Sequence, residues 1–359
     1  MTVTELLRAP QFSLPQPEKE RVLVDQLAVL TEHHRRNCGE YDRLMRVLYP
    51  GSAPITRLGD VPYLPVGLFK SHVLRSVPEA DVFKILQSSG TTGQQPSRIV
   101  LDRETAQRQT LALSRIMTHL LGPRRLPMLL IESPSLIKDR HRINARAAGL
   151  LGMMNFGRDH AYALDDQMQL DPEEVRGFLA RFGHEPFLMF GFTFVTWKYF
   201  LLRLVGQNVD LSNGILIHSG GWKKLQEEAV SPAELRRRFC SETRLSRIYN
   251  FYGMVEQVGS VYLEGEDGYL YPPNFADVIV RHPITFEELP HGNVGILQVL
   301  SVLPTSYPGH SLLTEDLGVI HSVDSLACGR HGKAFSVIGR LPRAELRGCS
   351  DVITTSGVE

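Results

Sequence analysis

The sequence predicts an α/β protein whose largely parallel sheet is covered by helices on both faces. Three observations predict it. From about residue 80, short apolar runs alternate with segments of helical periodicity. Two such segments open with strong helix starts, Asp171-Pro172-Glu173-Glu174 and Ser231-Pro232-Ala233-Glu234. Each sets a capping side chain before a proline at the first helical position and a glutamate in the first turn. The last third loses helix and gains turn residues, which points to a more β-rich part.

Taken in order, residues 1–60 read as a helical N-terminal layer. Leu23, Val24, Leu27 and Leu30 recur there at helical spacing, with Ala28 between. Residues 61–71, VPYLPVGLFKS, are proline-rich and read as an extended connection. VFKIL (82–86) reads as a strand that runs into a polar loop over 88–98. A helix follows from about 103, with Leu113, Ile116, Met117, Leu120 and Leu121 on one face. PMLLI (127–131), FLMF (187–190), ILIHS (215–219) and SRIYNF (246–251) read as strands, and DVIVR (277–281) and GILQVL (295–300) extend the β-rich part. The organisation expected is a helical layer over 1–60, a core domain over 61–340 and a short C-terminal segment over 341–359.

Composition narrows the function. Lysine plus arginine (39) equals aspartate plus glutamate (39) in 359 residues, so no basic face for nucleic acid is indicated. Cys38, Cys240, Cys328 and Cys349 are scattered, without the paired spacing of a zinc site or a disulfide framework. The start, MTVTELLRAPQF, lacks the basic and apolar regions of a secretory signal, and no apolar run reaches membrane-spanning length. A cytoplasmic protein with reduced thiols and no membrane span is expected.

Three segments carry chemistry. In Ser88-Ser89-Gly90-Thr91-Thr92-Gly93, glycines allow tight turns that aim N–H groups at a phosphate, and hydroxyls add donors. No Gly-Lys-Ser/Thr follows, so this is not a Walker A loop, and a plain polar connection is the alternative. In Tyr249-Asn250-Phe251-Tyr252-Gly253-Met254-Val255-Glu256-Gln257, an aromatic beside glycine offers a flat face to a purine. The nearby carboxylate suits Mg²⁺; a core strand ending in a turn also accounts for the segment. In Leu313-Thr314-Glu315-Asp316-Leu317-Gly318, followed by Ile338-Gly339-Arg340, an aspartate after a strand can accept from ribose hydroxyls, and an arginine adds a donor. A turn aspartate and a surface arginine are the plainer alternatives.

In that order the segments resemble the adenylate-forming superfamily of acyl-CoA synthetases and adenylation domains. Val255 stands where that superfamily has threonine, and Glu315 where it has glycine. The stretches VPYLPVGLFKS, SSGTTGQQPSRI, IHSGGWKKL, NFYGMVEQVGSVYLE, LLTEDLGVI and GRLPRAELRGCSD look like one branch, the acyl-protein synthetases of bacterial luminescence operons. The resemblance implies an acyl-CoA synthetase-like core with mostly parallel sheets and a truncated C-terminal domain. It implies ATP and Mg²⁺ as cofactors, a carboxylic, fatty acid as substrate, and an acyl-accepting reductase, transferase or carrier protein as partner. Carried over, Ser89, Thr91, Thr92 and Gly93 cradle the triphosphate, with Ser88 and Gly90 in the same loop. Gly220, Gly221 and Trp222 border the adenine and acyl pocket. Tyr252, with Gly253, stacks near adenine, Glu256 binds Mg²⁺, Asp316 holds the ribose, and Arg340 sits at the hinge beside it. Cys349 matches the acyl-acceptor cysteine. The superfamily's usual C-terminal catalytic lysine has no match here, and Lys223, Lys224 and Lys333 are the substitutes considered.

The chemistry fits these residue types. Activating a carboxylate on the α-phosphate calls for charge neutralisation and positioning more than for acid–base groups. A thiolate then attacks the mixed anhydride. Arg340, Arg343 and Arg347 stand close to Cys349 in sequence and are expected to favour its thiolate. Cys38 and Cys240 read as packing residues. Two other functions share these motifs: a ligase passing its acyl group to a carrier protein, coenzyme A or an amine, and a nucleotide-binding subunit without catalysis.

Overall fold

Continuous apolar runs decide the centre of the molecule. In a computed structural model of the chain, residues 1–51, 53–88, 95–138, 145–222 and 228–341 are described. The strands, in chain order, are β1 (Leu64–Pro65), β2 (Lys84–Gln87), β3 (Arg98–Leu101), β4 (Leu126–Ile131), β5 (Gly157–Tyr162), β6 (Phe187–Phe192) and β7 (Gly214–Ser219), then β8 (Arg247–Tyr252), β9 (Tyr262–Glu264), β10 (Leu270–Tyr271), β11 (Ala276–Arg281), β12 (Gly295–Ser301), β13 (Ser311–Val323) and β14 (Lys333–Arg340). One large mixed sheet runs β11-β12-β13-β14-β10-β9-β8-β7-β6-β4-β5. Its β8-β7-β6-β4-β5 half is parallel, and its β11-to-β9 half is antiparallel. The short β1 adds in parallel to β13, and β2 with β3 makes a separate hairpin.

The central parallel strands β4, β6 and β7 are buried on both faces, as helix-covered strands must be. Successive side chains point to opposite faces. Thus Met128 and Leu130 of β4, Leu188 and Phe190 of β6, and Ile215 and Ile217 of β7 join one core cluster. Leu129 and Ile131, Phe187 and Met189, and Leu216 join the other. Helices Pro172–Phe182 and Pro232–Thr243 cover the second face with Phe178, Phe182, Leu235 and Phe239. Both start where the sequence announces them. The Asp171 carboxylate accepts from the N–H groups of Glu173 and Glu174, and the Ser231 hydroxyl from that of Glu234.

The N-terminal layer is stitched into the same core. Helix Gln16–Asn37 buries Leu23, Val24, Leu27 and Leu30, in one cluster with Val278 and Phe335 of the sheet. It also buries charge. Lys19 lies 3.4 Å and Lys333 3.0 Å from the Asp277 carboxylate, which is fully buried. Gln16 Nε2 donates to the same carboxylate over 2.8 Å. Burial opposes that charge, but the two ammonium groups and the amide win and hold its pKa at about 2. At the helix end, His34 Nδ1 meets Ser76 Oγ at 2.8 Å and its ring stacks on His310 at 4.9 Å. Burial keeps both imidazoles below their ordinary range, His310 at about 3.

Four expectations are corrected. The polar loop after β2 does not lead straight into a helix, because RIVL (98–101) pairs back on β2 as β3 and makes a hairpin. The connection over 61–71 is only partly extended: it holds β1 and then a short helix, Leu68–Ser71. Asp316 does not follow a strand but sits within β13, in register with Arg340 of β14. Cys240 is exposed on its helix, so only Cys38 of that pair packs inside. Lys333, considered as a catalytic substitute, is committed to the buried pair with Asp277.

Because Lys19 and Lys333 are both buried against the Asp277 carboxylate, removing that carboxylate leaves two buried ammonium groups without their counter-charge. Asp277→Asn is expected to cost about 3 kcal/mol or more in urea unfolding. Adding Lys19→Met should return part of that loss, since one of the two unpaired charges goes with it. A double variant no more stable than Asp277→Asn would show that the unpaired lysine does not set the cost.

Candidate active site

The carboxyl ends of the parallel strands finish level with one another, the usual place for a ligand crevice in an α/β sheet. Ile131 is in register with Gly191, Phe192 with Ser219, and Ser219 with Phe251. Beyond β7, Gly220 holds φ +82°, a left-handed conformation that favours glycine. A Cβ built on Gly220 would lie 3.6 Å from the Phe192 ring, and one on Gly149 would lie equally close to it. Trp222 stands edge-on to Trp197 with ring centroids 6.2 Å apart. The predicted residues Gly220, Gly221 and Trp222 therefore border an aromatic region beside Phe192.

Beyond β8 the chain turns at Gly253 and presents Glu256 from a short turn, Val255–Gln257. Two features fix that turn. The buried Gln257 amide donates to the carbonyls of Val299 (3.1 Å) and Gly309 (2.9 Å). Gly309 must be glycine for the approach, since a Cβ there would meet the Glu256 carbonyl at 2.7 Å. Glu256 is left 8% exposed. Burial pushes its carboxyl pKa up, while the Ser97 hydroxyl and the charges of Lys70 and Arg340 partly oppose the shift.

The third segment is a bulge in β13. Leu313 pairs with Gln298 and Leu317 with Ile296, so Thr314, Glu315 and Asp316 face the single residue Leu297. Thr314 shapes it: its hydroxyl donates to the Leu297 carbonyl at 2.8 Å and accepts from the Asp316 N–H at 3.1 Å. Bulges re-aim side chains, and this one turns Asp316 toward the end of β8. Tyr252 donates its hydroxyl to Asp316 Oδ2 at 2.7 Å, and Arg340 Nε lies 3.3 Å from Oδ1. Burial, and then the Asp316 carboxylate, keeps the Tyr252 phenol protonated well above its usual range.

The structure thus brings Tyr252, Gly253, Glu256, Asp316 and Arg340 together, with Gly220, Gly221 and Trp222 at the end of the adjacent strand. Ser88 closes the neck of the β2–β3 hairpin, its hydroxyl accepting from the Ser97 N–H at 2.8 Å. Ser89, Gly90, Thr91, Thr92, Gly93, Lys223, Lys224, Arg343, Arg347 and Cys349 lie outside the described residues. Sequence reasoning missed other polar groups here. Glu132, after β4, is buried and accepts from Arg146 Nε at 2.7 Å. His218 of β7 meets Thr193 Oγ1 at 2.9 Å and is held neutral by burial, at about 3. Lys70 is the third, and only its place in the quoted VPYLPVGLFKS stretch signals it.

A family model described as acyl-protein synthetase, LuxE, matches residues 3–356. The chain belongs to that family. The long-chain-fatty-acid–luciferin-component ligase of Vibrio harveyi is 22% identical over 327 residues, 89% of this chain and 84% of the relative. The protein of the same name from Aliivibrio fischeri is 21% identical over 341 residues, 93% and 88% of the two chains. A crystal structure of 2-hydroxyisobutyryl-CoA ligase in an open conformation, with 2-HIB-AMP and CoA, matches with a TM-score of 0.66. It covers 91% of this chain and 76% of that one at 16% identity, which shows a common fold. As an acyl-protein synthetase, the protein is an acid–thiol ligase that uses ATP to form an acyl-adenylate and passes the acyl group to a thiol.

Glu256 carries a cost in the empty enzyme, because a buried carboxylate with a raised pKa destabilises the fold whenever it is ionised. Glu256→Gln should therefore raise the melting temperature at pH 7. The sign is fixed: the advantage is full above the raised folded pKa and vanishes below about pH 4, where glutamate is protonated folded or unfolded. Melting curves of both proteins from pH 4 to 8 check it, and a variant that melts lower at pH 7 would contradict it.

Proposed function

We propose that the protein activates a long-chain fatty acid on ATP and loads the acyl group onto its own Cys349. The observation that supports this most is the meeting of Tyr252, Glu256, Asp316 and Arg340 at the strand ends, although they come from three distant segments. Asp316 would accept from the ribose hydroxyls, with Arg340 beside it and the half-buried Tyr252 ring near the base. The hairpin loop Ser89–Gly93, whose neck Ser88 and Ser97 close, would hold the triphosphate. The Ser97 hydroxyl also acts on Glu256, which supports a shared site for the hairpin and the carboxylate.

Mg²⁺ fits this donor set. Among the described residues no group of three or more His, Cys, Asp or Glu could hold a metal by itself. A single hard oxygen ligand such as Glu256 suits an ion that takes its other ligands from water and substrate phosphates. Mg²⁺ would neutralise phosphate charge. The carboxylate oxygen of the acid attacks the α-phosphorus, the bond to the bridging oxygen breaks, and pyrophosphate leaves with the electron pair. The Cys349 thiolate then attacks the acyl carbon, and AMP leaves as the C–O bond breaks.

The fatty acid is proposed from the names of the two relatives, and the aromatic region around Phe192 and Trp222 supports an apolar tail. A reductase, transferase or carrier protein would take the acyl group onward. Among the described residues no helix is long and apolar enough to cross a membrane, and Cys38, Cys240 and Cys328 are unpaired. Both agree with a place in the cytoplasm.

Intact-mass spectrometry with ATP, Mg²⁺ and acids from benzoate to myristate tests the reading. A hydroxylamine-sensitive mass gain is expected with a long-chain acid. Cys349→Ser should abolish it while acid-dependent pyrophosphate exchange continues. A gain that survives Cys349→Ser would place the thioester elsewhere. Glu256→Gln should lower exchange by at least about 100-fold, the loss typical of one electrostatic stabiliser; exchange at the wild-type rate would remove Glu256 from the metal site.

A further inference from the structure

Two buried hydroxyls meet at the Glu256 turn without closing a hydrogen bond of their own. The first belongs to Tyr307, in the loop between β12 and β13. Its side chain is fully buried, and among the described residues no hydrogen bond of ordinary geometry engages the hydroxyl. The second is the Ser97 hydroxyl at the neck of the β2–β3 hairpin, equally buried and equally without a closed bond. Their surroundings tie both to Glu256. A Cβ built on Gly309 would run into the edge of the Tyr307 ring and lie 2.7 Å from the Glu256 carbonyl oxygen, so the ring passes along that turn. Burial keeps the phenol protonated above its ordinary range, the Glu256 charge adds to the shift, and the Val258 N–H opposes it. Ser97 is the group that most opposes the upward push of burial on the Glu256 carboxyl.

One framework carries both hydroxyls. Ser306 donates its hydroxyl to the Val100 carbonyl of β3 at 2.8 Å, and the Ser76 N–H donates to the Ser306 carbonyl at 2.8 Å. The hydroxyls of Thr105 and Thr305 meet at 2.8 Å, and the Phe69 ring stands edge-on to Tyr307 with centroids 6.1 Å apart. β3 begins at Arg98, directly after Ser97, so the strand that anchors the loop also fixes the second hydroxyl. The Gln257 amide ties the loop to the Glu256 turn itself, through the Gly309 carbonyl.

A buried O–H without an acceptor is a cost that few folds keep without a use for it. A metal ion takes one oxygen of a carboxylate and leaves the other in need of donors, and the groups that supply them fix the orientation of the metal's ligand. We propose that Tyr307 and Ser97 are positioning residues for Glu256, their hydroxyls donating to the carboxylate oxygen that the metal leaves free. The inference rests on Glu256 as the metal ligand, proposed above. A phenol suits the task, because it remains a donor throughout the neutral pH range.

Mn²⁺ with α,β-methylene-ATP, which cannot release pyrophosphate, reports the metal site without turnover. Free Mn²⁺ is followed by electron paramagnetic resonance on the full chain. Tyr307→Phe and Ser97→Ala are each expected to weaken Mn²⁺ binding by about 10- to 100-fold. Without nucleotide or metal, Tyr307→Phe should melt at or above the wild-type temperature, because an unpaired donor is removed while the ring is kept. A purely structural hydroxyl would give the opposite pair of results, a lower melting temperature with Mn²⁺ affinity unchanged. Affinity within about threefold of wild type in either variant overturns the proposed pairing, as does a Tyr307→Phe protein that melts clearly below wild type. Glu256→Gln separates this inference from the reading beneath it. Mn²⁺ binding as tight as wild type in Glu256→Gln would remove Glu256 from the metal site, and the roles of Tyr307 and Ser97 would fall with it. Loss of binding in Glu256→Gln, with none in Tyr307→Phe, would leave the metal site standing and overturn only the inference.

Discussion

Strand β13 has to satisfy three neighbours and still break its own regularity. It pairs with β12 and β14 along its length and takes β1 at its start. A regular strand in that position would point successive side chains to alternate faces of the sheet. The excursion of Thr314, Glu315 and Asp316 opposite Leu297 is what turns Asp316 toward the end of β8 and Glu315 toward Lys70. It is affordable because Thr314 satisfies the Leu297 carbonyl and the Asp316 N–H with its own hydroxyl. Every other contact at the site is arranged around that bulge. Tyr252 and Arg340 approach Asp316 from β8 and β14, and Lys70 approaches Glu315 along β1.

The rest of the fold supplies the rigidity such a bulge requires. The antiparallel half is backed by the N-terminal layer, and the attachment is polar as well as apolar. Asp277 on β11 fixes both helix Gln16–Asn37, through Lys19 and Gln16, and β14, through Lys333. Since β14 also carries Arg340, the buried ion cluster and the site share one strand. A wholly apolar contact would bind the layer equally well, but it would not fix the register of helix against strand. Charge satisfied at one position only does both.

Those parts of the fold that obey a simple period were legible in the sequence. β4, β6 and β7 show as apolar runs because both of their faces are covered, and Asp171 and Ser231 announce their helices because capping is local chemistry. What was hidden breaks a period or acts at a distance. β5, GRDHAY, is an edge strand with exposed polar residues, so no apolar run marks it. The hairpin pairing of RIVL depends on the partner VFKIL across a polar loop. Asp316 looked like the end of a strand because a bulge interrupts alternation just as a turn does. For the site, order and residue type picked out Tyr252, Glu256, Asp316 and Arg340. Only its place in the VPYLPVGLFKS stretch marked Lys70, which a two-residue strand paired in parallel with β13 brings beside Glu315.

The electrostatics of the site bear on how it works. An isolated cluster of carboxylates is a poor receptor for a triphosphate, yet it is a good way to keep cations in position until one arrives. Asp316 holds Arg340 at 3.3 Å, and Glu315 holds Lys70 at 4.0 Å. Glu256 is the exception: it is buried, and burial already presses it toward the neutral form. On the proposed reading, a metal brought in with the nucleotide would relieve that burden directly. Of the three carboxylates, the one that burial strains most is therefore the one proposed to meet the ion. The other two already face side-chain cations, Arg340 on Asp316 and Lys70 on Glu315, so the bulge residues balance charge within the protein while Glu256 is left for a counterion.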